Sequence, residues 1–138
     1  MRMIDDFIVD KDVDIVENRI DEKMLNDLFA DISFVPGKQF IEFAKRYSYF
    51  AYGDIEFFGI NDELKEKSNL FLNTKILIEN YEQLKGYYIV ESCGDGFYVL
   101  IDADDNVYHF FVGDSSKPEP LGIKFYDYVL KRLKEAEL

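Results

Sequence analysis

The stretch from Tyr87 to Val112, YYIVESCGDGFYVLIDADDNVYHFFV, limits the fold more than any other part of the chain. It contains three apolar runs separated by short clusters of Gly, Asp and Asn, the residues that tight turns favour. Runs of this length with turn residues between them predict three consecutive antiparallel strands, a β-meander. The pattern indicates an architecture and no particular chemistry.

A register for the last two of these strands follows if residues 103–106 form a four-residue loop, because Asp102 then lies opposite Val107. Alternate side chains of a strand point to opposite faces. One face of the meander then holds only apolar residues and is predicted to be core: Phe97, Val99, Ile101, Tyr108, Phe110 and Val112. The other face is too apolar to face only water, so the chain's own helices or a partner should cover it: Tyr98, Leu100, Asp102, Val107, His109 and Phe111.

Helical periodicity dominates the segments before the meander. Apolar residues three and four apart predict an amphipathic helix over residues 13–32, formed by Val13, Val16, Ile20, Met24, Leu25, Leu28, Phe29 and Ile32. A second helix is predicted after Pro36, which suits a first helical turn, with Phe40, Ile41, Phe43, Ala44 and Tyr47 facing inward. The aromatic run at residues 49–60 predicts a short strand near Ile55–Phe58. We interpret residues 61–85 as helical, although their periodicity also fits a strand.

The segments after the meander complete the element order. Residues 113–122 are predicted to be loop, and Ile123–Glu137 a helix with Tyr126, Val129, Leu130 and Leu133 on one face. N-terminal helices, an antiparallel meander and a C-terminal helix together predict an α+β fold. At 138 residues the chain is predicted to be a single domain, 1–138, in which residues 1–12 are a candidate flexible N-terminal arm.

The charge of the chain is strongly negative and unevenly distributed. The net charge is −12, with ten acids against four bases in residues 1–32 and fourteen against five in residues 51–120. Such a surface repels nucleic acid and anionic membranes and attracts a basic partner, although an acidic balance also serves solubility. We therefore expect no direct binding to nucleic acid or to a membrane.

Cysteine content and the N-terminus bear on the compartment. The single cysteine, Cys93, excludes an intrachain disulfide and favours a reducing environment. The N-terminus lacks the apolar core of a signal peptide, and no apolar run approaches the roughly 20 residues of a membrane span. These features predict a cytoplasmic protein.

Two acidic runs have a spacing similar to that of calcium-binding loops. In the run Asp102–Asn106, Val107 stands where such a loop requires a turn glycine, and Gly113 stands where it requires a bidentate glutamate. The run at residues 10–14 has Ile15 at the glycine position. We expect no metal at either run. We also expect no cofactor, because the Gly-Asp-Gly turn joins two strands and does not open a helix.

A nucleophilic site would need Cys93 together with His109, the one histidine of the chain. In the register above, His109 lies opposite Leu100 in mid-strand, away from the turn that contains Cys93. No basic residue stands near Cys93 in sequence to lower the pKa of its thiol. We therefore predict that the protein is not an enzyme and has no catalytic residues.

Motifs spread over residues 13–135 match those of a known family in their order. Val35-Pro36 followed by Phe40 and Tyr47 is similar to the Leu-Pro, Phe and Tyr pattern of its second helix. The other matches are Tyr52-Gly53-Asp54-Ile55, Phe58-Gly59-Ile60, Asn73-Thr74, Leu84, Tyr88-Ile89-Val90-Glu91, Gly94-Asp95-Gly96-Phe97-Tyr98, Asp102, Val107-Tyr108 and Phe125-Tyr128. This order resembles the SUKH superfamily, a group of bacterial immunity proteins that also contains a fungal cell-wall-synthesis regulator.

The resemblance implies an α+β fold and a non-catalytic role, in most members the neutralisation of a cognate toxin, often a nuclease, by direct binding. Together with the central acidity, it predicts an immunity protein that covers the active site of a basic toxin. The partner-binding candidates are Tyr52, Asp54, Glu56, Phe57, Asp95, Asp102, Asp104 and Asp105. The alternative is a regulatory adaptor that docks on endogenous cellular proteins, and the oligomeric state stays open.

Overall fold

The computed structural model describes residues 1–17, 22–32, 34–57, 70–114 and 117–137. Its elements are α1 (Arg2–Ile8), β1 (Asp14–Glu17), α2 (Glu22–Ile32), α3 (Lys38–Arg46), β2 (Tyr47–Tyr52), β3 (Ile55–Phe57), α4 (Leu70–Asn80), β4 (Tyr88–Gly94), β5 (Phe97–Ile101), β6 (Asn106–Phe111), β7 (Glu119–Lys124) and α5 (Phe125–Ala136). Within this part of the chain the strands form two antiparallel sheets, in the orders β1-β2-β3 and β4-β5-β6-β7. The predicted α+β fold is confirmed.

The first half of the helix predicted over residues 13–32 is wrong, because residues 14–17 form β1. In β1, Ile15 lies opposite Phe50 of β2. β-branched residues favour an extended chain, and the edge of β2 supplies the hydrogen-bond partners. The helix α2 begins at Glu22, and its Leu25 and Phe29 are buried. Residues 18–21 lie outside the described part of the chain.

The N-terminal residues 1–12, considered as a flexible arm, include the helix α1. Its Ile4 is fully buried in the core. Its Asp5 accepts a hydrogen bond from the hydroxyl of Tyr47 and forms an ion pair with Arg46, in which Oδ1 lies 3.0 Å from Nε. These contacts place α1 against the end of α3 and the start of β2.

An aromatic core joins α3, β2, β3 and α5. The predicted helix after Pro36 is confirmed as α3, and its Phe43 is buried at the centre of the core. The ring centroid of Phe43 lies between 5.2 and 6.0 Å from those of Tyr47, Phe50, Phe57 and Phe125. The strand predicted near Ile55–Phe58 is β3, and position 58 lies outside the described residues. The strand β2 before it was not predicted.

The meander is confirmed as β4, β5 and β6, but its predicted register is one residue off. Ile101 lies opposite Val107, and Val99 lies opposite His109. The loop is shorter than predicted, because the backbone N–H of Asp102 donates to the carbonyl of Asn106 at 3.2 Å. A left-handed residue, with φ of 63°, closes this shorter loop at position 105. Aspartate tolerates that conformation better than most residues.

The corrected register changes the two faces of the meander. One face contains the buried residues Val99, Ile101 and Val107 and the exposed residues Phe97, His109 and Phe111. The helix α5 covers this face, since Tyr128 and Arg132 both bond to Glu91, the residue opposite Val99. The other face contains buried Leu100 and Phe110 and half-buried Tyr98 and Tyr108. The predicted face made only of core residues is therefore wrong.

The loop predicted at residues 113–122 is also partly wrong, because it includes the start of β7. In this strand Glu119 lies opposite His109, and Pro120 lies opposite Tyr108. Proline is compatible with an edge strand, where β7 stands in its sheet. The C-terminal helix is confirmed as α5, starting at Phe125. In the segment predicted to be helical over 61–85, α4 covers Leu70–Asn80, and residues 61–69 lie outside the described ranges.

Candidate partner-binding surfaces

The partner-binding candidates lie in three separate places. Tyr52, Asp54, Glu56 and Phe57 belong to the β2–β3 hairpin, Asp95 to the β4–β5 turn, and Asp102, Asp104 and Asp105 to the β5–β6 loop. The β4–β5 turn and the β5–β6 loop are at opposite ends of β5. The candidates therefore do not form one continuous surface.

Asp105 is an interior residue that bonds to the start of α3. Its side chain is 6% exposed and accepts hydrogen bonds from the backbone N–H groups of Gln39, at 2.9 Å, and Phe40, at 3.0 Å. These bonds cap the N-terminus of α3, where the negative carboxylate also interacts favourably with the positive end of the helix dipole. A Cβ at Gly37 would overlap the carboxyl group, so the glycine permits this close approach. Asp105, a predicted partner-binding residue, is thus buried in this structure and caps α3.

Asp102 closes its own loop. Its Oδ1 accepts from the backbone N–H groups of Asp104 and Asn106 at 2.9 and 3.0 Å, and its Oδ2 accepts from the hydroxyl of Tyr108 at 2.7 Å. Burial alone would raise the pKa of Asp102, but these hydrogen bonds together hold it below its ordinary value. The same bond to Asp102 raises the pKa of Tyr108 to about 12. Of the three loop acids, Asp104 is the one with an exposed side chain.

The β2–β3 hairpin divides between core and surface. Phe57, a predicted partner anchor, is 1% exposed and packs in the core. Asp54 is exposed at the turn, and Tyr52 and Glu56 are half-buried. The hydroxyl of Tyr49 donates to Oε2 of Glu56 at 2.5 Å. Glu56 lies opposite Ala51, which also lies opposite Asp14, so Asp14 and Glu56 share the outer face of the sheet.

Acids from both ends of the chain join this hairpin. The hydroxyl of Tyr52 donates to Oε1 of Glu137 at 2.5 Å. The Nζ atom of Lys11 lies 3.2 Å from Oδ1 of Asp10 and 3.9 Å from Oε1 of Glu137. Tyr52 follows Ala51 in β2 and points to the opposite face of the sheet from Glu56 and Asp14, so the acids lie on both faces of the hairpin and at its turn. We call this set the acidic hairpin surface; its members are Asp10, Asp14, Tyr49, Tyr52, Asp54, Glu56 and Glu137.

The pKa values of both tyrosines of this surface lie above their ordinary values. The hydrogen bond to Glu137 raises the pKa of Tyr52, and slight burial and the charges of Glu137 and Asp10 add to it. Burial raises the pKa of Tyr49, with further contributions from the hydrogen bond to Glu56 and from the charges of Glu56 and Asp14. Each phenol is thus held in its neutral, hydrogen-bond-donating form beside carboxylates.

Sequence reasoning missed Asp10, Asp14, Tyr49 and Glu137 as members of this surface. Asp10 and Asp14 were considered only as part of a calcium-like run. The pairing of β1 with β2 places Asp14 here, and that pairing could not be found while residues 13–32 were interpreted as one helix. Glu137 lies beside Tyr52 because α5 packs near the hairpin. No local sequence pattern indicates this packing.

Cys93 and His109 are not brought together by the sheet. They lie in β4 and β6, and β5 runs between these strands. Partial burial of the thiol and then the charge of Glu91 raise the pKa of Cys93. Glu91 itself is 2% exposed; its Oε1 accepts from the hydroxyl of Tyr128 at 2.6 Å and its Oε2 from Nη2 of Arg132 at 2.5 Å. This buried network joins β4 to α5.

Among the residues that the structure describes, no group of three or more His, Cys, Asp or Glu side chains is placed to hold a metal ion. No helix in the same part of the chain is long and apolar enough to cross a membrane.

No protein-family model matches this chain, and no curated protein matches it either. The resemblance to the SUKH superfamily therefore rests on the order of motifs in the sequence.

Proposed function

We propose that the chain is a non-catalytic immunity protein that binds a basic toxin domain through the acidic hairpin surface and covers the toxin's active site. The observation that carries this proposal is the concentration of carboxylates from distant parts of the chain on the β2–β3 hairpin: Asp14 and Glu56 beside Tyr49 on its outer face, Asp10 and Glu137 beside Tyr52 on the other face, and Asp54 at the turn. The resemblance to the SUKH superfamily supplies the kind of partner.

The composition of this surface suits recognition of a basic protein. A net charge of −12 raises the local concentration of a basic protein near the acidic side chains and speeds their encounter. Tyrosine offers a rigid ring with a polar tip, which is why it is frequent among the residues that dominate binding energy. Lys11 lies within the surface, but its ammonium group is engaged by Asp10 and Glu137.

Charge reversal at two different places tests whether association depends on the acidic hairpin surface or only on the net charge of the protein. The variant Asp10→Lys/Asp54→Lys changes exposed acids of the acidic hairpin surface, and Asp27→Lys/Glu79→Lys changes exposed acids of α2 and α4 by the same charge. The toxin encoded beside the gene is the binding partner, measured by surface plasmon resonance. We expect the first variant to lower the association rate at least about tenfold and the second to lower it much less.

Two further measurements complete this test: the salt dependence of the binding rates and the survival of cells that express the toxin. The association rate of the unaltered protein should fall as salt rises, while its dissociation rate changes little. Cells that express the toxin should survive when they also express the unaltered protein. Salt-independent association, with equal rates for the two variants, would contradict electrostatic docking. Binding without protection would favour the adaptor function.

A further inference from the structure

Two exposed phenylalanines lie side by side at the open end of the meander. Phe97 and Phe111 are directly opposite each other in β5 and β6, and their rings stack with centroids 4.2 Å apart and an interplanar angle of 17°. They are 48% and 38% exposed, although Val99 and Ile101 on the same face are fully buried. The pair therefore continues the face under α5 beyond the part that the helix covers. Exposed aromatic rings that are grouped in this way are typical of interaction sites.

The backbone around the pair holds the rings in place. The chain turns directly after Phe111 in a single 3₁₀ turn, Val112–Asp114, and the N–H of Val112 donates to the carbonyl of Gly96 at 3.0 Å. A Cβ at Gly113 would overlap the ring of Phe111, so the turn packs directly on that ring. Because the rings are already positioned, a partner would lose little conformational entropy by contacting them.

The rings form one wall of a cleft of about 230 Å³, which is also lined by His109, Lys117 and Glu119. Glu119 lies opposite His109 in the register of β6 and β7. A second acid, Asp95, is exposed at the adjacent β4–β5 turn. The lining of the cleft thus combines phenyl rings with the carboxylate of Glu119. A second carboxylate, that of Asp95, lies at the same end of the sheet.

We propose that this aromatic cleft binds an arginine side chain of the basic partner, an inference that rests on the proposed function. A guanidinium group stacks on a phenyl face and forms strong hydrogen bonds with carboxylates. The cleft offers the face of Phe97 that is not stacked on Phe111, and the carboxylate of Glu119. The charge of the chain favours a basic protein over a second copy, because two chains of net charge −12 repel each other. Lys117 opposes the bound cation, so its removal should strengthen binding.

The first test uses short peptides as probes and does not depend on the toxin. Acetyl-Gly-Arg-Gly-amide, and the matched peptides with Lys or Leu in place of Arg, are titrated into ¹⁵N-labelled protein. We expect saturable amide shifts from the arginine peptide at residues 95–97, 109–113, 117 and 119, and several-fold weaker binding of the other two. The variant Phe97→Ser/Phe111→Ser should lose these shifts, and Lys117→Ala should bind several-fold more tightly.

A matched control removes an exposed apolar residue elsewhere. Ile76 on α4 is 46% exposed, and Ile76→Ser should keep the shifts of the unaltered protein. Equal binding of the arginine and leucine peptides would overturn the inference in favour of an apolar ligand. Shifts at the same residues that depend only on protein concentration would overturn it in favour of self-association.

The second test measures affinity for the toxin with variants whose thermal unfolding matches that of the unaltered protein. Phe97→Ser/Phe111→Ser should weaken binding at least about thirtyfold, as expected for a residue pair that dominates an interface, and Ile76→Ser should not weaken it. Unchanged affinity of the phenylalanine variant would overturn the cleft and leave the proposed function standing. If the unaltered protein does not bind the toxin, the proposed function fails and the peptide titration alone decides the cleft.

Discussion

The β4–β5 turn and the β5–β6 loop begin from similar sequences and end in opposite environments. Each contains an aspartate with positive φ, 53° at Asp95 and 63° at Asp105. Asp95 is exposed, whereas Asp105 is buried under the N-terminus of α3. The local sequence therefore determines the turn conformation, and a helix far away in the chain determines whether the turn faces water.

The two turns also differ in their contacts with the rest of the fold. The β5–β6 loop caps α3 through Asp105, and Oε1 of Gln39 in α3 accepts from the backbone N–H of Tyr126 at 2.9 Å. This chain of bonds joins the sheet to α3 and then to α5. The β4–β5 turn lies beside the exposed Phe97 and Phe111. One end of the meander thus stabilises the fold, and the other exposes two aromatic rings to solvent.

The largest effect should come from truncating neighbouring phenylalanines on opposite faces of β6. Phe110 is 2% exposed and its ring centroid lies 5.4 Å from that of Tyr81, so Phe110→Ala should lower the free energy of unfolding by about 3–5 kcal/mol. Phe111→Ala should lower it by about 1 kcal/mol, since this ring is partly solvated and loses mainly its stacking contact. Denaturation in urea measures both. Equal losses would show that the face assignment is wrong.

The next effect compares the same substitution in the two turns. Asparagine tolerates positive φ, so Asp105→Asn and Asp95→Asn both keep the turn conformation. Asp105→Asn places an amide NH₂ against a backbone N–H of α3 and removes a capping charge, so it should cost about 2 kcal/mol. Asp95→Asn should cost less than about 0.5 kcal/mol, as is usual at exposed positions. A similar loss in both variants, measured by urea denaturation, would contradict the capping role of Asp105.

The elements with strong local patterns were predicted, and those fixed by distant contacts were not. The meander, α3 and α5 follow from hydrophobic periodicity within their own segments. The strands β1 and β7 depend on pairing partners elsewhere: Ile15 lies opposite Phe50, and Pro120 lies opposite Tyr108. The register error came from one residue, Asp105, whose left-handed conformation shortens the loop by one position.

The sequence predicts only those members of the acidic hairpin surface whose exposure follows from their local position. Turn residues such as Asp54 are exposed as their position predicts. Asp105 has an equally polar loop sequence, but its partners Gln39 and Phe40 are 66 and 65 residues away. Glu137 reaches Tyr52 across 85 residues of sequence. Composition cannot indicate such contacts, because they depend on how separate elements pack.

The smallest effect concerns the charge of Asp102 and depends on pH. The pKa of Asp102 is lower in the folded protein than its ordinary value, which is close to 3.9 in an unfolded chain. The stabilisation from its charge is therefore complete well above about pH 4 and is lost as the pH falls through the folded pKa. At pH 7, Asp102→Asn should be about 1 kcal/mol less stable than the unaltered protein, since this carboxylate is partly solvated.

The difference between Asp102→Asn and the unaltered protein should shrink below about pH 4, because protonation removes the charge that the substitution removes. Urea denaturation at several pH values from 7 to 3 measures this trend. Asp95→Asn, which makes the same substitution at an exposed turn, is measured alongside as the control variant. A difference for Asp102→Asn that stays constant down to pH 3 would mean that the shape of the side chain closes the loop. A difference that disappears would mean that its charge does so, through the bonds from Asp104, Asn106 and Tyr108.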